Sequence, residues 1–382
     1  MRRVPGARRR KAEKAPAKAA PLELAALRAR IDAIDARILA LLNERARIAA
    51  EVGEHKRRAA PEAPFHAPAR EREVLARLEK LNEGPFPKQA IRAVFQEIMS
   101  ACLSLERPLR VAFLGPEGAF SHQAVHHQFG ASAQPMAQRS IAAVFHAVEA
   151  GQADYGVVPV ENATQGVVDL TLDAFLESRL RIVGEILLPF ELALLVHGDV
   201  DPGAAEHVYG QPDAIEAAQA WLGSHLQRAV HVATTSAAEA ARLAREDPGG
   251  AAVAPDLIAK LFDLRVAAER IQLGGDATRF WVLGRTPSQR TGRDRTSLVV
   301  SVKDSPGILL RVLEPLARRG VNLTRIESRP APRRAWEYVF FLDLDGHASD
   351  EPVAAAIREI ERASAGVREL GSYPRAEAEA ER

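Results

Sequence analysis

Leu24, Leu27, Ile31, Ile34, Ile38 and Leu41 step by 3, 4, 3, 4 and 3 residues, and the same steps run on through Arg45 to Ile48 and Val52. A chain that repeats apolar residues this way places them on one stripe of a long helix. A helix over residues 22–58 would be ~55 Å long at 1.5 Å per residue, more than a small helical domain can cover by itself. The seam therefore predicts a partner subunit. Arg45 stands within it, where an unpaired buried guanidinium would cost several kcal/mol. It needs an anion: a glutamate of the chain, a register-setting contact, or a ligand. Lys56 lies three turns further on at ~100° per residue and shares the face of Arg45. Two cations on one inward face point to a dianionic ligand. Arg28 lies ~100° off that line, so it would more easily serve a neighbouring subunit's pocket. Later, Ile98, Cys102 and Glu106 stack at i, i+4 spacing, which puts Glu106 on an apolar stripe unless that helix ends in solvent.

The other residues cannot all share one core. A chain of 382 residues divides into two or three domains at ~150 residues each. The net charge of +1 hides an asymmetry: eight Lys/Arg against Glu13 in residues 1–20 leave the remainder at −6. A mildly acidic body argues against a nucleic-acid groove. The basic tail has no apolar stretch of the secretory kind. Composition reads it as a solvated, disordered start, with polyanion binding or a transit peptide as alternatives. Nothing approaches the ~18 unbroken apolar residues of a membrane span. The single cysteine, Cys102, excludes an internal disulfide and a structural zinc finger. It fits a reducing, cytoplasmic setting.

The pattern divides the chain into a tail (1–20), a helical region (21–107), an α/β region (108–287), a compact last unit (295–374) and a short tail (375–382). Prolines 61, 64 and 68 interrupt the helical part. A polar linker over 286–295 leads to the last unit. There residues 296–302 read as a strand and 306–319 as a helix with Pro306 in its first turn, stopped by Gly320. Residues 321–328 and 336–343 read as strands, 351–363 as a helix and 367–373 as a final strand. That order, βαββαβ, is ferredoxin-like.

In the α/β region, a strand at 110–114 runs into Gly115-Pro116-Glu117-Gly118-Ala119-Phe120-Ser121-His122 and then a helix. A Gly-rich turn feeding a helix N-terminus suits an anion. A strand at 155–160 leads to Glu161-Asn162-Ala163-Thr164-Gln165-Gly166. A strand at 230–233 precedes Thr234-Thr235-Ser236, where Ser236 and Glu239 match a capping box. Polar loops at three strand ends are the usual address of a ligand in an open α/β sheet. The string Gly275-Asp276-Ala277-Thr278-Arg279-Phe280 is the most specific of all.

These residues resemble a known family. Leu27-Arg28, Glu44-Arg45, Val52-Gly53-Glu54-His55-Lys56, Arg70-Glu71-Arg72-Glu73 and Phe95-Gln96-Glu97-Ile98-Met99-Ser100 look like the all-α mutase half of the bifunctional chorismate mutase–prephenate dehydratases. Residues 109–373 look like the dehydratase half with its ACT domain. The resemblance implies an intertwined mutase dimer, a two-lobed dehydratase similar to periplasmic binding proteins, and phenylalanine feedback at a subunit interface. It carries a mutase substrate site over Arg28 of the partner, Arg45, Lys56, Arg70, Glu71, Cys102 and Glu106. Lys56 and a protonated Glu106 would stabilise the breaking ether oxygen of chorismate, with no cofactor or metal needed.

It carries a prephenate site over Ser121, Asn162, Thr235, Ser236, Thr278, Arg279 and Phe280. Thr278 would donate a hydrogen bond or relay a proton to the departing hydroxyl, and Arg279 would hold a carboxylate. The effector would meet Gly307, Ile308 and Leu309 together with Glu327, Ser328, Arg329 and Pro330. The chain departs from the family at Ala67, where an aspartate is usual, and at Ala119 and Ala163, where hydroxyl residues are usual. Gly210-Gln211 replaces a usual Ser-His. Three other readings follow from the departures: a single live site, arogenate as the dehydratase substrate, or a non-catalytic amino-acid sensor.

Overall fold

A computed structural model describes residues 21–59, 68–162, 166–189, 191–198, 200–272, 277–303, 305–331 and 338–376. The basic tail, Ala67, Ala163, Asp276, Asp304 and Trp336 lie outside the described residues, as do the side chains of Lys56 and Glu106.

The helical region is three helices, α1 (Pro21–Ala59), α2 (Pro68–Leu81) and α3 (Lys88–Glu106). Every apolar residue of the α1 seam, from Leu24 to Val52, is 49–62% exposed in the single chain. One turn of core is still built inside it: Leu75, Ile91, Met99 and Cys102 are buried.

The two-lobed part follows. Its first lobe begins with β1 (Arg110–Leu114), α4 (Phe120–Phe129), β2 (Gln134–Gln138), α5 (Ile141–Glu149), β3 (Tyr155–Asn162), β4 (Gly166–Val167), α6 (Asp169–Glu177) and β5 (Arg181–Pro189). The second lobe holds β6 (Ala193–Val196), β7 (His207–Gly210), α7 (Pro212–His225), β8 (Val230–Ala233), α8 (Ala237–Glu246), β9 (Gly250–Ala254), α9 (Leu257–Phe262) and β10 (Arg265–Ala268). Strand β11 (Ala277–Gly284) returns to the first lobe. The first sheet runs β2-β1-β3-β11-β5, with β4 beside β3, and the second runs β10-β6-β9-β7-β8. The chain crosses between lobes twice, after β5 and before β11. Strands β1, β2 and β3 are parallel, as are β7, β8 and β9. Their C-terminal ends therefore open together at one edge of each lobe.

The last unit is β12 (Asp294–Val302), α10 (Ile308–Arg318), β13 (Leu323–Pro330), β14 (Tyr338–Asp345), α11 (Glu351–Ala363) and β15 (Gly366–Pro374). Its antiparallel sheet has the order β13-β14-β12-β15, the ferredoxin-like one. Two expectations need correction here. Pro306 lies in a turn before α10, whose N-cap is Gly307 at φ 75°, because Ile308 N–H closes a turn onto the Ser305 carbonyl. The 286–295 segment does not end in a free linker either: Asp294 is buried and accepts from Thr291 and Gly292 as β12 begins.

One face of this sheet packs on α10 and α11 through Leu298, Val300, Val312, Leu342 and Ile360. The other face joins the first lobe: Val299, Val339, Phe341, Leu370 and Tyr373 share a core with Val158, Phe175 and Trp281. A Cβ added at Gly371 would stand 2.1 Å from the Ile182 carbonyl oxygen, so only glycine lets β15 lie this close to β5.

Candidate active sites

At the open edge of the first lobe, β3 ends in Asn162 and β11 begins beside it, with Thr278 opposite Asn162 in register. The Asn162 amide donates to Thr278 Oγ1 at 3.2 Å. With its oxygen accepting that bond, the threonine keeps its own hydrogen to donate. Thr278 is 6% exposed, as is Ser121 in the first turn of α4. Helix α4 has Ala119 at its N-cap and no side-chain cap, and Ser121 lies in its first turn, where a helix N-terminus favours an anion.

The loop before α4 is held in two ways. Gly118 N–H donates to His122 Nδ1 at 3.0 Å, and the His122 ring stacks on Phe113 at 4.8 Å. A Cβ on Gly118, at φ +84°, would come within 2.3 Å of Ile258 Cδ1 of α9. The first-lobe loop thus touches the second lobe, and Phe120 packs against the cores of both. His122 lies next to His126, with Nε2 atoms 3.1 Å apart. Burial, with the neighbouring His126 adding to it, holds His122 below the usual imidazole range, while Glu117 pulls the other way. The sequence signal for this brace is the spacing of four residues between His122 and His126 on one helix.

Beta-strand alternation divides the Thr278-Arg279-Phe280 string. Arg279 does not face the Thr278 side. Its guanidinium donates to Asp343 at 2.7 Å and to Glu185 at 3.1 Å, both buried acids, one of them in the last unit. Burial works against its charge, but Asp343, Tyr373 and Glu185 outweigh that and raise its pKa. A guanidinium so committed cannot also be the substrate's carboxylate anchor, and that expectation is withdrawn. Phe280 is 1% exposed among Phe113, Val125 and Phe129, so it is core rather than a ligand contact.

Across the cleft, Thr235 and Ser236 follow β8. The Ser236 hydroxyl accepts from Glu239 N–H at 3.1 Å, as the cap predicted. The Glu239 carboxylate, however, reaches back to Thr235, taking its N–H at 2.7 Å and its hydroxyl at 2.6 Å. Those bonds hold the Glu239 carboxyl below its usual range. Thr235 therefore donates to its own helix, which corrects its place as a substrate donor, whereas the Ser236 hydroxyl hydrogen remains available. Gly210 and Gln211 close β7 and open α7 at the same edge.

In the helical region Arg45 is half-buried on α1 and Cys102 is buried on α3. Arg28 is exposed, as its place off the seam predicted. Arg70 is exposed and pairs with Glu73 one turn on, at 2.6 Å, so in the single chain it faces solvent rather than Arg45; Glu71 is half-buried. Helix α3 also docks on the dehydratase side: Ser100 Oγ donates to the Phe129 carbonyl at 2.7 Å, and Glu97 accepts from Ala131 N–H. Gln96, Glu97 and Ser100 thus carry a junction that the sequence did not announce.

In the last unit, Pro330, Tyr338 and Val302 lie in one row across the sheet, and the chain leaves Val302 for Gly307, Ile308 and Leu309. Gly307–Leu309 and Ser328–Pro330 therefore meet at one end of the sheet. Alternation splits the second motif. Ser328 shares the helix-side face with the exposed Ile326, opposite Phe340 and Leu342. Glu327 and Arg329 take the other face, where Arg329 binds Asp173 and Asp169 of α6 at 2.8 Å each. Its place as an effector contact is corrected to an interdomain clamp.

Three family models match the chain in order: chorismate mutase type II over residues 27–107, prephenate dehydratase over 111–288 and ACT domain over 296–362. The bifunctional chorismate mutase/prephenate dehydratase of Aquifex aeolicus is 44% identical over 93% of this chain and 98% of its own length. That of Stutzerimonas stutzeri is 41% identical over 93% and 98%. Among solved structures, the prephenate dehydratase of Arthrobacter aurescens in complex with L-Phe is 36% identical, with a TM-score of 0.64 over 70% of this chain and 90% of that one. Identity at this level, running through all three regions, makes the chain a member of the bifunctional chorismate mutase/prephenate dehydratase family.

Proposed function

We propose that the cleft at Thr278 dehydrates prephenate and that the face carrying Arg45 and Lys56 rearranges chorismate. The chain is an enzyme of phenylalanine biosynthesis, a chorismate mutase and a prephenate dehydratase, with an ACT unit that answers to phenylalanine. The observation that carries the dehydratase assignment is the Asn162–Thr278 bond, which occupies the threonine oxygen as an acceptor and leaves its hydroxyl hydrogen to be donated. Prephenate loses CO₂ and its ring hydroxyl together as the ring becomes aromatic. Hydroxide is a poor leaving group, so a donor at that oxygen contributes roughly 10²–10⁴-fold. Thr278 is that donor. The uncapped α4 N-terminus with Ser121, and Ser236 across the cleft, take the carboxylates that Arg279 does not.

The mutase step is intramolecular, so its rate comes from holding the reactive conformer and stabilising charge at the ether oxygen. Arg45 and Arg28 of the partner clamp the two carboxylates, Cys102 and Glu71 complete the wall, and Lys56 with a neutral Glu106 meets the ether oxygen. The exposed α1 seam supports a dimer. Residues 21–107, 108–287 and 295–374 divide these tasks. Among the described residues no helix is long and apolar enough to cross a membrane, and with a lone cysteine this supports a cytoplasmic enzyme. Phenylalanine binds at the sheet end where Gly307–Leu309 meets Ser328 and Pro330. Assaying both reactions on the purified protein, each with and without phenylalanine, tests the reading. Conversion of chorismate but not of added prephenate would overturn its dehydratase half.

A further inference from the structure

Between the dehydratase lobe and the last unit lies a cavity of about 290 Å³, walled by Arg279, Arg295, Arg325 and Arg375 against Glu161 and Glu185. The charges balance, since Arg375 has Asp345 at 3.5 Å and Glu161 also lies 3.7 Å from Arg279, but the hydrogen bonds are unevenly shared. Glu185 takes Arg295 at 2.5 Å as well as Arg279, and Asp343 takes Arg279 and the Ser297 hydroxyl. Both fully buried carboxylates are thereby used. Arg325, whose side chain is 7% exposed, is left over: its nearest acids are Glu161 at 3.9 Å and Asp343 at 4.0 Å. Among the described residues none of its three nitrogens has a hydrogen-bond partner, and Arg295 Nε has none either. The Trp281 ring 5.8 Å from its guanidinium carbon gives it a cation–π neighbour but no acceptor.

A buried guanidinium with its whole fork open, in a polar cavity, is a poorly satisfied charge. Its planar donors match the oxygens of a carboxylate or phosphate. We propose that this cavity binds a small oxyanion on Arg325 and Arg295, at a site separate from the Thr278 cleft and from the effector end of the sheet. Glu161, 42% exposed at the mouth, is the group the anion displaces. The room suffices for such an ion with water beside it, at about 30 Å³ per water. Two sources offer this chemistry: a free anion, or the chain's own carboxylates, since Arg375 and Ala376 line the cavity and Glu377, Glu379 and Glu381 follow in sequence. The site also lies one peptide from the active pair on each strand, as Glu161 precedes Asn162 and Arg279 follows Thr278.

The test is calorimetric titration of inorganic phosphate, at constant ionic strength, into the full chain and into a chain ending at Ala376. Phosphate should saturate the shortened chain. Arg325→Gln should weaken that binding by at least about tenfold, the worth of a charged hydrogen-bond pair. Glu161→Gln should tighten it, because a competing carboxylate is removed; a merely structural Arg325 gives no such opposite sign. Binding to both chains identifies a free-anion site, and binding to the shortened chain alone identifies the tail as the resident anion. Absence of saturable binding to either chain, or an affinity unchanged by Arg325→Gln, would overturn the site.

Discussion

The α1 helix and the β11 strand each carry an essential-looking polar residue in an apolar run, and they treat it oppositely. On α1, Arg45 is half-buried and the apolar residues around it are open to solvent. On β11, Thr278 is buried and its neighbours Phe280, Trp281 and Val282 are buried with it. The dehydratase cleft is assembled by one chain, from two lobes and a loop that bridges them. By our proposal the mutase site is half a site in one chain, and the other half brings both the apolar cover and an arginine.

That contrast can be broken in several ways, and the largest effect concerns single residues. Thr278→Ala should lower dehydratase turnover by roughly 10²-fold or more while chorismate is still rearranged. Arg45→Ala should do the converse: mutase lost, added prephenate still dehydrated. Assaying both reactions on both variants checks this, and a joint loss in either one would show that the two sites are not independent. Next comes the seam. Ile34→Glu with Ile38→Glu puts like charges on the face that a second helix must cover, so sedimentation should show dissociated helical regions and mutase activity should fall with them. Dehydratase turnover should survive, because Ser121, Asn162, Ser236 and Thr278 all lie outside α1.

The smallest effect is the pH dependence of the loop brace. His122 is held below the ordinary imidazole range when folded, while the unfolded chain takes up its proton near pH ~6.5. Below that pH the unfolded state binds more protons, so stability is lost as pH falls toward the folded pKa. His122→Asn keeps an acceptor for Gly118 and removes the titration. Thermal unfolding from pH 7.5 down to 5.5 should show a fall in Tm that is shallower in the variant by about a few degrees. Equal slopes would mean that His122 does not contribute.

How much of this could be read beforehand varies with the kind of signal. Periodicity carried the helices and the βαββαβ unit, because a stripe at 3.5 or an alternation at 2 is written in the residues themselves. Position along a strand was equally legible for Thr278 and Asn162. What the sequence did not show is direction across a contact made by distant segments. Arg279 and Arg329 sit in motif strings, yet each turns to an acid far away in sequence, Asp343 in one case and Asp173 in the other. A charged residue inside an apolar strand, as Glu185 is in Ile182–Leu188 and Asp343 in 339–344, was the clue to such a junction. The 286–295 linker misled in the same way. It is polar, yet the unit beyond it shares a core with Phe175 and Trp281, so removing residues 290–382 would strip the first lobe of part of its own interior.

By our proposal the mutase site is shared between two chains and the dehydratase site is not. Subunit complementation tests it most directly. Arg28→Ala and Arg45→Ala chains, each without mutase activity alone, are mixed, dissociated and reassociated. If Arg28 serves the partner's Arg45 pocket, half of the dimers are mixed and each has one intact pocket, so mutase activity should return to about a quarter of the unmutated level. Dehydratase activity should stay the same throughout. Mixtures that remain without mutase activity, although mixed dimers are shown to form, would contradict the shared site and place both arginines in one chain.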